Sequence, residues 1–244
     1  MDTYVEAQRI LPQVIDLRRR IHEYPELGNQ LPKTTEAVLD YLGDLDLEIR
    51  RSNETTSIVA TLRGSGYDSG RRILLRGDMD ALPMQEYNDL PFRSKRDGKM
   101  HACGHDAHTA MLAGAARLLH DNREHLNGTV DFFFQSGEEG YFGAKIVMDE
   151  GLFDGLNEPD AAFAIHITPL LANGKFASRA GPLLAAADSW KISVTGRGGH
   201  ASMPHDCKDP IPVACEIVQA LQHLVVSRVN AFDPVVLTTT KIEA

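Results

Sequence analysis

Short apolar segments alternate with helical ones from residue 57 to residue 165, and this alternation constrains the fold more than any other feature of the sequence. Four segments have the length and the apolar composition of strands, and they lie at 57–62, 73–75, 130–134 and 161–165. Helices are predicted among them at 107–119 and 144–150. Such alternation is typical of an α/β fold, so we predict a mostly parallel sheet flanked by helices.

Two amphipathic helices precede the first strand. The first extends to about residue 21 and the second covers roughly residues 34–45. On one face of the first helix, apolar residues repeat at intervals of three and four: Ile10, Val14, Leu17 and Ile21. This stripe predicts a helix with one buried face.

The pattern changes near Gly181. Residues 190–195 alternate strictly between apolar and polar side chains, which is typical of a strand with one solvated face. A long helix is predicted at 210–229 and a further strand at 235–242. These elements predict a second, partial α+β domain.

We place the domain boundary between residues 181 and 182, so that the domains are 1–181 and 182–244. About 60 residues make a poor core on their own, because small domains bury a small fraction of their surface. The alternative is that the second segment is a short appendage of the first sheet.

The composition narrows the function classes. A formal charge of −9 argues against non-specific nucleic-acid binding, which needs a basic face. No apolar run approaches the ~20 residues that span a bilayer, and the charged N-terminal segment has no secretory pattern, so we expect no membrane partner. Three cysteines are too few for a disulfide scaffold, and we expect a cytoplasmic protein.

The run MHACGHDAH, from Met100 to His108, contains three histidines, a cysteine and an aspartate. Thiolate and imidazole ligands suit zinc and its divalent neighbours, whereas calcium and magnesium prefer oxygen ligands. Within this run, Cys103 and His105 immediately precede a buried helix, so their loop can direct both side chains to one point. The run therefore predicts a metal site.

Further possible ligands follow the predicted strands. They are Asp78 and Asp80, the adjacent pair Glu138 and Glu139, and His166. In open α/β sheets, ligands bind at the carboxyl ends of the strands, where these residues would meet the MHACGHDAH loop. A dinuclear site also needs a free carboxylate to handle protons. The inventory supplies one, but it falls one ligand short for a second metal.

Two other functions are compatible with parts of this pattern. In a cysteine hydrolase, Cys103 would attack the substrate and His105 or His108 would act as its base, but the glutamate pair would then have no role. A protein that binds metal or ligand without catalysis is the second alternative. Chelation and assays of hydrolysis separate these functions from a metallohydrolase.

The sequence resembles the amidohydrolase branch of the M20 metallopeptidases, which includes N-acyl-amino-acid amidohydrolases, hippurate hydrolases and auxin-conjugate hydrolases. The resemblance covers nearly the whole chain, and an ordered series of motifs carries it: RRRIHEYPELG, LRGDMDALPMQE, MHACGHDAHTAMLAGAA, SGEEGYFGAKIVMDEGLFD, AFAIH and GRGGHASMPH. Single motifs such as EE or GGH are weak, but the ordered set is highly specific.

The resemblance implies a two-domain enzyme with two divalent metal ions, Zn or Mn with Co or Ni as further options, in the larger α/β domain. It implies a role for each matching position: Cys103 bridges the metals, His105, Glu139 and His166 are further ligands, Glu138 is the general base, Asp80 orients the site, and His200 helps to hold the oxyanion. The expected reaction is hydrolysis of the amide bond of an N-acyl amino acid by a metal-activated water.

The resemblance also implies a lid and dimerisation domain, in which His200 of one subunit serves the active site of the other in a homodimer. Relatives continue past the end of this chain and return to the catalytic domain with a last histidine ligand. We therefore expect a chain truncated at its C-terminus, with an incomplete catalytic domain and an incomplete lid. The alternative function is that of a catalytically impaired homologue that only binds metal or ligand.

Overall fold

The computed structural model describes residues 2–66, 68, 70–181, 183–184 and 188–244. The chain divides into two compact units, unit 1 (Met1–Lys175) and unit 2 (Phe176–Ala244). The domain boundary that we place between residues 181 and 182 stays a prediction.

Unit 1 contains a five-stranded sheet with the order β1-β2-β4-β3-β5. The strands are β1 (Glu48–Arg51), β2 (Ile58–Arg63), β3 (Arg72–Asp78), β4 (Thr129–Gln135) and β5 (Ala161–Ala164). Strand β3 is parallel to both β4 and β5, whereas β2 is antiparallel to both β1 and β4. The predicted α/β fold class is confirmed, and the sheet is mixed, with its parallel part formed by β4, β3 and β5.

Helices cover both faces of the sheet. They are α1 (Thr3–Glu23), α2 (Pro32–Leu42), α3 (His105–Asp121) and α4 (Gly143–Asp149). Residues of α1, α2 and α3 pack with Phe132 and Phe134 of β4 in one core, while Phe133 points to the opposite face and packs with Val147 of α4. Burying one such side chain contributes about 2 kcal/mol, so this alternation fixes which residues of β4 face each layer.

The register of the parallel strands brings their carboxyl ends together. Asp78 at the end of β3 pairs with Gln135 at the end of β4, and Arg76 pairs with Ala164 at the end of β5. The loops that follow these strands therefore begin at the same edge of the sheet, which positions the predicted site residues.

Unit 2 contains one α-helix, α5 (Pro210–Arg228), and a 3₁₀ turn at Pro204–Asp206 among its described residues. Asp209 caps α5 by accepting a hydrogen bond from the Ile211 N–H at 2.9 Å. None of the described residues of this unit is buried. By length and composition α5 is apolar enough to cross a membrane, a test that core helices of soluble proteins also pass.

The two strands predicted in the second segment, at 190–195 and 235–242, do not form in the described part of unit 2. That prediction was wrong for this structure, because apolar alternation gives a strand only where a neighbouring strand supplies hydrogen-bond partners. The predicted helix at 210–229 does form, as α5.

Candidate metal centre

Six of the seven predicted site residues lie in unit 1, at the carboxyl ends of β3, β4 and β5 and at the start of α3. They are Asp80, Cys103, His105, Glu138, Glu139 and His166. The seventh, His200, lies in unit 2, where its Nδ1 is 2.9 Å from the hydroxyl oxygen of Ser202. Its predicted role in catalysis stays a prediction.

His105 lies at the centre of the cluster. Its ring is almost completely buried, and neither ring nitrogen has a hydrogen-bond partner among the described residues. Nδ1 is 3.5 Å from an oxygen of Asp80, and Nε2 is 3.8 Å from an oxygen of Glu139. Burial alone would lower the pKa of His105, but the carboxylates of Asp80 and Asp78 raise it above its ordinary value. A buried imidazole among carboxylates, with no hydrogen bond of its own, is suited to hold a cation.

The turn before α3 brings Cys103 and His105 close together. Gly104 has a φ of +96°, and a Cβ atom at this position would lie 2.4 Å from the Ile167 side chain. Glycine is required there both for the backbone conformation and for the space. The turn explains why two possible ligands separated by a single residue can face the same point.

His166 faces Cys103 from the loop after β5. Its Nδ1 donates to the Ile167 carbonyl oxygen at 2.6 Å, so its Nε2, which is 3.3 Å from the Cys103 sulfur, carries the free lone pair. Cys103, His105 and His166 offer ligand atoms within 4.8 Å of one another. This arrangement fits the predicted metal-ligand roles of the three residues, which stay predictions.

Asp80 holds the loop that follows β4. Its carboxylate is fully buried and accepts the backbone N–H groups of Glu138 and Glu139, each at 3.0 Å. Because both oxygens are used, Asp80 fixes the backbone from which the two glutamate side chains project. This geometry supports the orienting role implied by the resemblance.

Glu138 and Glu139 project toward solvent, with side chains 42% and 24% exposed. Partial burial and the neighbouring charge of Glu139 raise the pKa of Glu138. A carboxylate of raised pKa at the rim of a cluster is suited to accept a proton and return it.

Asp78 forms a buried pair with His108 beneath the cluster. The His108 Nδ1 donates to Asp78 at 2.7 Å, and the His108 Nε2 accepts the Ile167 N–H at 2.9 Å. Burial alone would raise the pKa of Asp78, but the hydrogen bond from His108 and the charges of His105 and Arg76 hold it at about 2. Asp78, His105 and His108 are close enough to hold an ion, but the short hydrogen bond already occupies Asp78 and His108.

The electrostatics of Cys103 separate the two hydrolase mechanisms. Burial and the carboxylate of Glu139 raise the pKa of the Cys103 thiol to about 12. A nucleophilic cysteine needs the opposite shift, so the surroundings do not favour Cys103 as the attacking group. A bound cation deprotonates a thiol and neutralises the surrounding carboxylates, so the donor set fits a divalent metal.

Sequence analysis missed two residues that hold the loops of the site. Asn29 donates from its amide to the Tyr141 carbonyl oxygen at 3.0 Å, and it closely approaches Gly137, so it holds the loop with the glutamate pair. His22, at the end of α1, hydrogen bonds to Asp106 beside His105. For His22 a signal existed, since a histidine follows Ile21 at the end of an apolar helix stripe.

Comparison with known proteins gives a consistent result. The family model "Peptidase family M20/M25/M40" matches residues 74–241. An N-acetyl-L-cysteine deacetylase of Bacillus subtilis is 41% identical over 98% of the chain and 56% of its own length. The IAA-amino acid hydrolase ILR1-like 4 of Arabidopsis thaliana is 42% identical over 94% of the chain and 51% of its own length.

A solved structure from Bacillus subtilis, described as a dinuclear metal binding peptidase from the M20 family, is 41% identical to the chain. It superposes with a TM-score of 0.61 over 66% of this chain and 44% of its own length. The chain spans about half the length of the curated relatives that it matches.

Proposed function

The chain belongs to peptidase family M20/M25/M40, and from this premise we propose that it carries the metal centre of an amidohydrolase that cleaves N-acyl amino acids or related conjugates. The observation that carries the proposal is the environment of His105. This buried imidazole has no hydrogen-bond partner of its own among the described residues and lies among a thiol, carboxylates and a second histidine. Its surroundings therefore favour a cation.

In the proposed centre Cys103, His105, Glu139 and His166 would hold two divalent ions, with Zn or Mn expected and Co or Ni as alternatives. When bound, divalent ions polarise an amide carbonyl and make a water more acidic. Asp80 fixes the backbone of the glutamate pair through its two hydrogen bonds. The hydrogen bond from His166 Nδ1 to the Ile167 carbonyl oxygen holds the ring so that Nε2 faces Cys103.

Glu138 is the proposed general base. It accepts a proton from water as the water oxygen bonds to the amide carbon, and it returns this proton to the nitrogen as the C–N bond breaks. Its exposure at the rim and its raised pKa support both transfers. The products are a carboxylic acid and a free amino acid.

The proposal also covers the oligomeric state and the cellular location of the enzyme. We propose a homodimer in which His200 stabilises the oxyanion in the active site of the other subunit. We also propose a cytoplasmic location, since a reducing compartment keeps the free thiol of Cys103 available as a ligand. Sedimentation of the purified chain tests the dimer.

The test uses the purified chain with added Zn²⁺, Mn²⁺ or Co²⁺ and N-acetyl- and N-benzoyl-amino acids, with dipeptides for comparison. We expect release of the free amine, loss of activity with a chelator and recovery when metal returns. Glu138→Gln should abolish turnover while metal stays bound, and Cys103→Ser should lower metal occupancy.

The outcomes distinguish the alternatives. Metal binding without hydrolysis of any substrate supports a homologue that only binds metal. Activity that a chelator does not change contradicts the metal mechanism and supports the thiol. Loss of metal in Glu138→Gln would make Glu138 a ligand rather than the base.

A further inference from the structure

The last turn of α1 directs His22 into the interior beneath the metal-binding loop. The residue is 3% exposed, and both of its ring nitrogens meet carboxylates. Nδ1 is 2.8 Å from an oxygen of Asp106, and Nε2 is 3.2 Å from an oxygen of Glu86. His22 therefore connects α1 with the start of α3 and with the loop that follows β3.

The hydrogen-bond partners of His22 favour its charged form. Arg18 donates to Asp106 at 2.6 Å, and the Ser94 N–H donates to Glu86 at 2.7 Å, so both carboxyl groups act as acceptors. A neutral imidazole donates from one nitrogen only, whereas an imidazolium donates from both. Both ring nitrogens of His22 face acceptors, and this arrangement favours the imidazolium form. Burial alone would lower its pKa, but Asp106 and Glu86 raise it.

His101 lies beside His22 and precedes the ligand pair Cys103 and His105 in the sequence, whereas Asp106 follows that pair. The ring centroids are 6.2 Å apart, and both nitrogens of His101 are buried without a hydrogen-bond partner among the described residues. Cys103 and His105 are thus flanked in sequence by His101 and Asp106, which both extend inward to His22.

We propose that His22 is a positioning residue for the metal centre, and that its two hydrogen bonds and its ring contact with His101 fix the backbone that presents Cys103 and His105. This inference rests on the proposed function, because it assumes that those two residues bind metal. Partners behind metal ligands commonly change metal affinity by 10–100-fold when they are removed. His22 acts on the ligands through the two residues that flank them.

The test is a Co²⁺ titration of the metal-free chain, followed by the thiolate-to-cobalt absorption band and the d–d bands. We expect His22→Gln to raise the Kd for Co²⁺ by about 10-fold or more and to change the energy or intensity of the thiolate band. Glutamine carries both of its N–H donors on a single nitrogen, whereas the imidazolium carries one on each of two separated ring nitrogens, and glutamine also lacks the charge. His125→Gln, an exposed histidine, is the matched control and should behave like the wild type.

A purely structural role would give a different result. Loss of folded protein lowers the amount of bound cobalt but leaves the spectrum of each bound ion unchanged, so far-UV circular dichroism is recorded on the same samples. Should His22→Gln fail to fold, Glu86→Gln provides the milder variant, with a smaller increase in Kd expected. NMR of the wild type should show His22 titrating above 6.5, with Arg18, Asp106, Glu86 and His101 as the charged or titratable groups around it.

Unchanged Co²⁺ affinity and an unchanged thiolate band in a folded His22→Gln variant would overturn the positioning role while the metal centre stands. A neutral His22 at pH 6 would overturn it as well. Failure of the wild-type chain to bind Co²⁺ would overturn the proposed function and this inference together.

Discussion

The residues of the candidate metal centre form two groups that differ in burial and in partners. The inner group is Asp78, Asp80, His105 and His108, and the outer group is Cys103, Glu138, Glu139 and His166. The inner group is buried, and its carboxylates already make several hydrogen bonds to the protein. The outer group is partly or fully exposed and projects from loops that the inner group holds. The hydrogen-bonded members of the inner group, Asp78, Asp80 and His108, therefore serve the fold, whereas His105 and the outer group remain open to a ligand.

Replacing Asp80 should have the largest effect on the free energy of unfolding. Asp80→Asn keeps one acceptor oxygen but turns an amide N–H toward the other backbone N–H, and leaving that donor without an acceptor costs about 3 kcal/mol. Urea denaturation of the metal-free chain measures this loss. The outer-group control Glu139→Gln should stay within about 0.5 kcal/mol of the wild type. Equal stabilities of the two variants would remove the distinction between the groups.

Alanine at Gly137 and at Gly140 compares two positions in the loop with the glutamate pair. Both glycines have positive φ, but a Cβ at Gly137 would lie 1.9 Å from the Asn29 oxygen, whereas nothing lies within 4 Å at Gly140. We expect Gly140→Ala to cost about 1 kcal/mol through backbone strain alone, and Gly137→Ala to cost about 2 kcal/mol because the overlap with Asn29 adds to the strain.

Adding Asn29→Ala to Gly137→Ala relieves the clash. The combined variant should lose less stability than the sum of the two single changes, as a double-mutant cycle by urea denaturation would show. Additive losses would mean that Asn29 does not hold this loop.

Acid should weaken the inner group in a defined pH range. The folded-state pKa of Asp78 is about 2, below its ordinary value of 3.8, so its contribution is present above pH 4 and is lost as the pH falls through 2. The contribution is about 2 kcal/mol. Asp78→Asn lacks it, so the stability difference from the wild type should shrink between pH 5 and pH 2. A difference that does not vary with pH would show that Asp78 is not held ionised.

The smallest effect is expected in the outer group, with the opposite sign. The pKa of Glu138 is raised in the folded state, so its ionised form opposes folding above that pKa. Since the side chain is 42% exposed, solvent screening limits the effect, and Glu138→Gln should stabilise the metal-free chain by no more than about 0.5 kcal/mol at pH 7. The gain should vanish by pH 4. A destabilised variant would place Glu138 in the inner group.

The local pattern of apolar residues was sufficient to predict most of the strands and helices of unit 1. The segment 130–134 was predicted as a strand from its phenylalanines, and it forms the centre of β4. Strand β1 was missed, because its sequence EIRR is charged and lies at the sheet edge, where no apolar run is needed. The antiparallel pairing of β2 was not predictable either, since burial on both faces gives the same apolar run in either direction.

For the site, the sequence predicted which residues meet at the edge of the sheet, but not which partner each of them has. Asp78 and Asp80 follow the same strand and are separated by one residue, so their sequence context did not distinguish them. In the structure Asp78 accepts a hydrogen bond from His108, whereas Asp80 accepts hydrogen bonds from the backbone of the glutamate pair. Likewise, nothing near His22 in the chain predicts its contact with Asp106, 84 residues away.

The sequence by itself determined which atoms are available: a thiol, imidazoles and carboxylates at strand ends, carried by a chain whose apolar pattern specifies an α/β sheet. These properties are local, because ligand chemistry belongs to the side chain and strand formation depends on short-range pattern. Only the tertiary structure decided which carboxylates are buried in hydrogen bonds and which stay open for a metal. That choice depends on distances between residues far apart in the chain and on the burial that sets their charge.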